Sequence, residues 1–151
     1  MIRTFAAATL AAIFLTMTSG AFAQGQSGTA AEAKAMLEKA GSALKANKTK
    51  ALTDFNSATG GFRDRDLYVF CAGTDNKFTA HVNPSLIGTA ITALVDKDGK
   101  KLGEEIMSSA AEGKIATVAY KFPRPGQTDP VQKESYVTKI GDQVCGVGYY
   151  K

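Results

Sequence analysis

Leu67-Tyr68-Val69-Phe70-Cys71, preceded by Asp66 and followed by Gly73-Thr74-Asp75-Asn76, is the stretch on which the fold turns. Its aromatic and β-branched residues, bounded by breakers, read as a strand and a turn, with a second strand from Lys77 to Val82. The same texture recurs downstream. Lys114 to Phe122 alternates, with Ile115, Thr117 and Ala119 opposite Val118, Tyr120 and Phe122. Val131 to Ile140 and Gln143 to Tyr150 form two further strands joined by a Gly141-Asp142 hairpin turn. Gly146 and Gly148 either weaken the last strand or let other groups approach it closely. Between the second and third strands the pattern is irregular. Asn83-Pro84 starts a short helical turn, Asp96-Lys97-Asp98-Gly99-Lys100 is a tight turn, and Gly103 to Glu112 reads as a short helix. Pro123, Pro125, Gly126 and Pro130 mark a loop.

Upstream of Leu67 the period changes. Thr29-Ala30-Ala31-Glu32 is a capping box, and Ala33, Met36, Leu37, Ala40 and Leu44 follow at spacings of three and four. The stripe lapses at Ala46-Asn47-Lys48-Thr49 and resumes at Ala51, Leu52 and Phe55, so either one long helix has a wet middle or two helices break near Asn47. Gly60-Gly61 closes the helical region. Helix first and strands afterwards points to an α+β fold on an antiparallel sheet.

The N-terminus is expected to be removed. Arg3 precedes an apolar run from Thr4 to Met17, and Ala21-Phe22-Ala23 supplies an A-x-A site, so residues 1–23 read as a secretory signal peptide cleaved after Ala23. The run is shorter than the ~20 residues a spanning helix needs, so the mature chain is expected to carry no integral membrane segment. Residues 24–28 read as a flexible leader and 29–151 as one domain, which stops at Lys151 with no output module of its own. The expected location is periplasmic or secreted.

Composition narrows the function classes. The chain of 151 residues is 44% hydrophobic and has formal charge +4, or +3 once Arg3 is lost. That is a globular composition, and so small an excess in an exported chain gives no reason to expect nucleic acid as a partner. Cys71 and Cys145 are the only cysteines, and an even pair in an exported domain points to one disulfide, with two buried thiols as the alternative. No C-x-x-C redox spacing is present.

Catalytic chemistry is hard to assemble from these residues. His81 is the sole histidine, and two distant cysteines with one histidine do not make a zinc site. Asp96-Lys97-Asp98-Gly99 resembles the start of a calcium loop, but its glycine falls early and Met107 stands where the twelfth-position acid belongs. No metal, cofactor or enzymatic activity is therefore expected. His81, Tyr120, Lys133 and Tyr136 remain as donors that could bind a small carboxylate, each with a plain structural alternative.

At these residues the chain resembles the type 2 single Cache domains, extracytoplasmic relatives of the PAS fold. The resemblance is carried by Gly61-Phe62-Arg63-Asp64-Arg65-Asp66-Leu67-Tyr68-Val69-Phe70, by Ala80-His81-Val82-Asn83-Pro84-Ser85-Leu86-Ile87-Gly88, and by Asp96-Lys97-Asp98-Gly99-Lys100. Tyr120-Lys121-Phe122-Pro123-Arg124-Pro125, Lys133-Glu134-Ser135-Tyr136-Val137 and Gly146-Val147-Gly148-Tyr149-Tyr150 complete it, in the family's order over about residues 30–150. The resemblance implies a long N-terminal helix on a five-stranded antiparallel sheet. It makes the first and last strands neighbours, so that Cys71 and Cys145 would pair across them. It also implies a pocket for a small molecule, often a short organic acid, between the sheet and the segment joining strands two and three. Carried over, that pocket draws on His81, Tyr120, Lys133 and Tyr136, with Phe70, Leu86 and Phe122 as apolar walls. The implied role is a small-molecule binding and sensing module. The alternative is an interaction protein docking on a membrane receptor or histidine kinase, with the pocket vestigial.

Overall fold

The computed structural model describes residues 27–151. The signal peptide expected over 1–23, its cleavage after Ala23, and the first part of the leader lie outside the described residues.

The helical region resolves into two helices, α1 (Ala30–Ala46) and α2 (Lys48–Asn56). Thr29 and Glu32 close the capping box: the Glu32 N–H donates to Thr29 Oγ1 at 3.2 Å, and the Thr29 N–H to Glu32 Oε2 at 2.8 Å. Asn47 decides between one helix and two. Its N–H donates back to Ala43 O at 2.9 Å, while its side-chain oxygen accepts from the Lys50 N–H at 3.0 Å. One residue thus ends the first helix and starts the second, and its extended backbone sets the bend. The apolar stripe of Ala33, Met36, Leu37, Ala40 and Leu44 continues across the bend as Ala51 and Phe55. Ser27 and Gly28, read as part of a flexible leader, are tied down instead. Gly28 is buried, and its N–H donates to Asp66 Oδ1 at 2.6 Å.

The strands are β1 (Arg63–Asp64), β2 (Leu67–Gly73), β3 (Phe78–Ala80), β4 (Ala116–Pro123), β5 (Pro130–Ile140) and β6 (Gln143–Tyr150). Every pairing is antiparallel. The order is β1-β2-β6-β5-β4, with β3 also on β2, so the expected five strands gain one two-residue strand. β3 is shorter than its sequence suggested, because the chain leaves the sheet at His81 to form single helical turns at Pro84–Leu86 and Ile91–Ala93. Helix α3 (Leu102–Ser109) follows.

The sheet is covered on both faces. Leu67, Val69, Cys71, Cys145 and Val147 pack under α1 and α2, while Tyr68, Phe70, Ala72, Val118, Tyr120 and Val137 pack under α3 and the helical turns. Cys71 stands opposite Cys145 in the β2–β6 register and is disulfide-bonded to it, with Cα atoms 4.1 Å apart. Asp96 is an ordinary turn residue: Oδ1 accepts the N–H groups of Asp98 and Lys100, both at 2.9 Å. Among the described residues no helix is long and apolar enough to cross a membrane.

Candidate functional site

Side chains alternate along a strand, so a strand covered on both faces sends its residues into two separate cores. Lys133, Ser135 and Val137 of β5 point to the α3 side. The tight turn at Gly141-Asp142 pairs Ile140 with Gln143, and the same register carries Lys133 opposite Tyr150. On its other side Lys133 stands opposite Tyr120 of β4. The Lys133 side chain is 1% exposed. Its ammonium donates to Tyr68 Oη at 2.9 Å and Tyr150 Oη at 3.3 Å, and lies 4.4 to 5.4 Å from the ring centres of Tyr68, Tyr150 and Phe122. No carboxylate among the described residues forms an ion pair with it.

The last strand makes room for this lysine. A Cβ on Gly148 would overlap Lys133 Cε and Ser135 Oγ, and one on Gly146 would overlap the Phe70 ring. The two glycines thus admit side chains as well as backbone.

Burial shifts every titratable group here. Loss of water pulls the Lys133 ammonium down to about 7; Asp66 opposes that fall and Arg124 adds to it. Burial, with the Lys133 charge, also pulls His81 down to about 4, so its imidazole is neutral at neutral pH. The Asn83 N–H donates to His81 Nδ1 at 2.9 Å, which places the neutral ring's proton on Nε2. Tyr120 is pushed up to about 12 by burial, and its hydroxyl bonds Ser135 Oγ at 2.7 Å. Burial raises Tyr68 and Tyr150 as well. The site therefore offers one titratable cation ringed by neutral hydroxyls.

Next to the aromatic residues that enclose this cation lies a narrow cavity of about 20 Å³, lined by Tyr68, Phe70, Phe78, His81, Tyr120 and Phe122 on the sheet side. Ile91, Leu94, Leu102 and Ile106 close it from above. An outer cleft of about 180 Å³ shares Tyr68, His81 and Phe122 with it and is bounded by Leu86 and by the loop from Pro123 to Gln127. Lys133 lines neither space directly, because Tyr68 and Tyr150 hold its ammonium.

Six of the seven residues singled out in the sequence gather here: His81, Tyr120, Lys133, Phe70 and Phe122 around the inner site, and Leu86 in the outer cleft. Tyr136 does not. It lies three residues from Lys133 on one strand, which turns it to the opposite face, where it packs on the helix-side core with Tyr149 at 5.7 Å between rings. Tyr68, Tyr150 and Ser135 were missed. For Tyr150 a signal existed, since a two-residue turn at Gly141-Asp142 fixes its register with Lys133.

Comparison with known proteins bears on the fold and the family. Residues 7–150 match the sequence profile of the Single Cache domain 2 family. A curated relative, the methyl-accepting chemotaxis protein McpP of Pseudomonas putida, is 31% identical over 90 residues, which are 58% of this chain. The match spans only 16% of that receptor's length. Among solved structures, a methyl-accepting chemotaxis protein from Vibrio parahaemolyticus superposes with a TM-score of 0.66 at 23% identity, covering 80% of this chain and 86% of that one. The periplasmic sensor domain of a chemotaxis protein gives 0.61 at 26% identity, with 80% and 88% covered. A Cache chemosensory domain studied for carboxylic acid recognition gives 0.58 at 24%, with 80% and 86% covered. With its sheet order, its two-faced core and its profile in agreement, the chain belongs to the Single Cache domain 2 family.

Proposed function

We propose that this Cache domain is an extracytoplasmic sensor module that binds a small carboxylate at Lys133. One observation carries the reading: a buried ammonium whose hydrogen-bond partners are two neutral hydroxyls. Burying a cation without a counter-charge costs several kcal/mol, and an anionic ligand is the group that offsets this. The carboxylate would meet the third ammonium hydrogen. Tyr120 Oη and His81 Nε2–H offer further neutral donors, and Phe70, Phe78 and Ile106 would hold the alkyl part. At about 20 Å³ the inner cavity holds little more than a water molecule, so binding requires Phe122 and Tyr68 to part and open it to the outer cleft. The reading includes a domain over 29–151, export by the segment 1–23, no catalytic step, and a partner in the envelope, a membrane receptor or histidine kinase, that takes up the signal.

Titration calorimetry with acetate, propionate and succinate tests it. At least one acid binds the protein, and Lys133→Met weakens that binding 100-fold or more. Lack of heat with every acid, or unchanged affinity in the variant, refutes the reading.

A further inference from the structure

The residues that lead into α1 are held far more firmly than capping requires. The capping box already satisfies the N–H groups of Thr29 and Glu32. Four further contacts come from outside the helix. Arg65 Nη1 donates to Ser27 O at 3.1 Å and Arg65 Nη2 to Glu32 Oε1 at 2.6 Å. Arg124 Nη1 donates to Ser27 Oγ at 2.9 Å, and the Gly28 N–H to Asp66 Oδ1 at 2.6 Å. Gly28 is seated so closely that a Cβ there would overlap the Leu67 side chain. This is a built seat.

The seat is joined to the pocket by one charge pair. Asp66 is a buried carboxylate that gives one oxygen to Gly28 and the other to Arg124. The Arg124 guanidinium also lies 4.4 Å over the Tyr150 ring. Tyr150 Oη accepts from Lys133 and donates to Pro123 O at 2.7 Å. Arg124 borders the outer cleft beside Tyr68 and Phe122 as well. From the ammonium to the amide of Gly28 the path is therefore Lys133, Tyr150, Arg124, Asp66, with a direct contact at each step.

We infer that the Asp66–Arg124 pair couples occupancy of the Lys133 pocket to the seating of Ser27 and Gly28. The inference rests on the proposed function for its ligand but not for its wiring. An anion at Lys133 cancels the positive charge that attracts Asp66 and repels Arg124, and it offers Arg124 a second acceptor across the cleft. Either change alters how Asp66 and Arg124 share Gly28 and Ser27. Linkage makes the effect reciprocal, so the state of the seat also sets affinity in the pocket.

Amide exchange in the 15N-labelled protein tests this in two arms. Saturating acetate on the wild-type protein is one, and Lys133→Met without ligand is the other, with Lys133→Gln in reserve should Met not fold. Exchange at Gly28 is expected to change ~5-fold or more in each arm, the low end of ordinary coupling, while the amide of Ser57, held by Thr53 O at the exposed end of α2 and opened by local fraying, stays fixed. A smaller change at Gly28 in both arms overturns the coupling; if acetate binds, the acid reading survives. If acetate fails to bind but Lys133→Met moves Gly28, the coupling stands and the choice of acid is what fails.

Discussion

Replacing Lys133 with methionine should make the unliganded protein more stable, and the gain should depend on pH in a way set by the buried ammonium. In the folded protein the group falls from 10.5 to about 7. At about 1.4 kcal/mol per tenfold in the proton equilibrium, that is a burden of roughly 5 kcal/mol on the charged form. Below pH 7 both folded and unfolded chains carry the proton, and the burden is present in full. Between pH 7 and 10.5 the unfolded chain holds more protons than the folded one, so wild-type stability climbs with pH as the burden lifts. Methionine is one atom shorter and nearly keeps the volume of the side chain, but loses its hydrogen bonds to Tyr68 and Tyr150, worth about 1 kcal/mol each when the amine is neutral. The variant is therefore expected to be about 3 kcal/mol more stable at pH 6, with the advantage gone by pH 10. The chain has no tryptophan, so urea unfolding followed by far-UV circular dichroism at pH 6, 8 and 10 is the assay. A variant less stable than wild type at pH 6, or a difference that does not change with pH, refutes the reasoning.

Acetate affinity should fall about tenfold per pH unit above 7, as Lys133 loses its proton; calorimetry at pH 6.5, 7.5 and 8.5 measures the slope. His81, the sole histidine, should titrate near 4 by NMR, well below 6.5. Its folded value is depressed, so the stability it leaves intact above pH 6.5 should be lost as pH falls from 6.5 to 4, by about 3 kcal/mol. Reducing the Cys71–Cys145 bond should lower stability by up to about 4 kcal/mol in the chain-entropy account, as read by urea unfolding with and without reductant. Thr29→Ala removes the acceptor for the Glu32 N–H and should cost about 1 kcal/mol in the same assay.

How much of this was legible in the sequence depended on the range of the interaction that decided it. The capping box at Thr29 and Glu32 is a four-residue signal and appeared as read. The bend at Asn47 was visible as a lapse in the stripe, but only the structure shows one side chain serving two helices. Strand alternation put Val118 and Tyr120 on one face, which the structure buries; applied to β5, the same rule would have turned Tyr136 away from Lys133. Tyr68 hid because β2 is buried on both faces, so its seven residues show no polar side against which an inward tyrosine would stand out. The meeting of Asp66 and Arg124 had no local signal at all. It depends on how the loop after β4 folds back over the start of β2, and neither residue's neighbours encode that.

The division of the cavity between its two walls has a practical meaning. The charged anchor and its hydroxyl clamp stand on strands whose register is locked by the turn at Gly141 and by the bond between Cys71 and Cys145. The opposing wall, from Ile91 and Leu94 to Leu102 and Ile106, comes from a single uninterrupted stretch of chain between β3 and β4. Were a carboxylate held as proposed, preference for one tail over another could be altered by exchanging that one stretch, while the charged handle stays as it is. The domain has the layout of a tool with a fixed shank and an interchangeable bit.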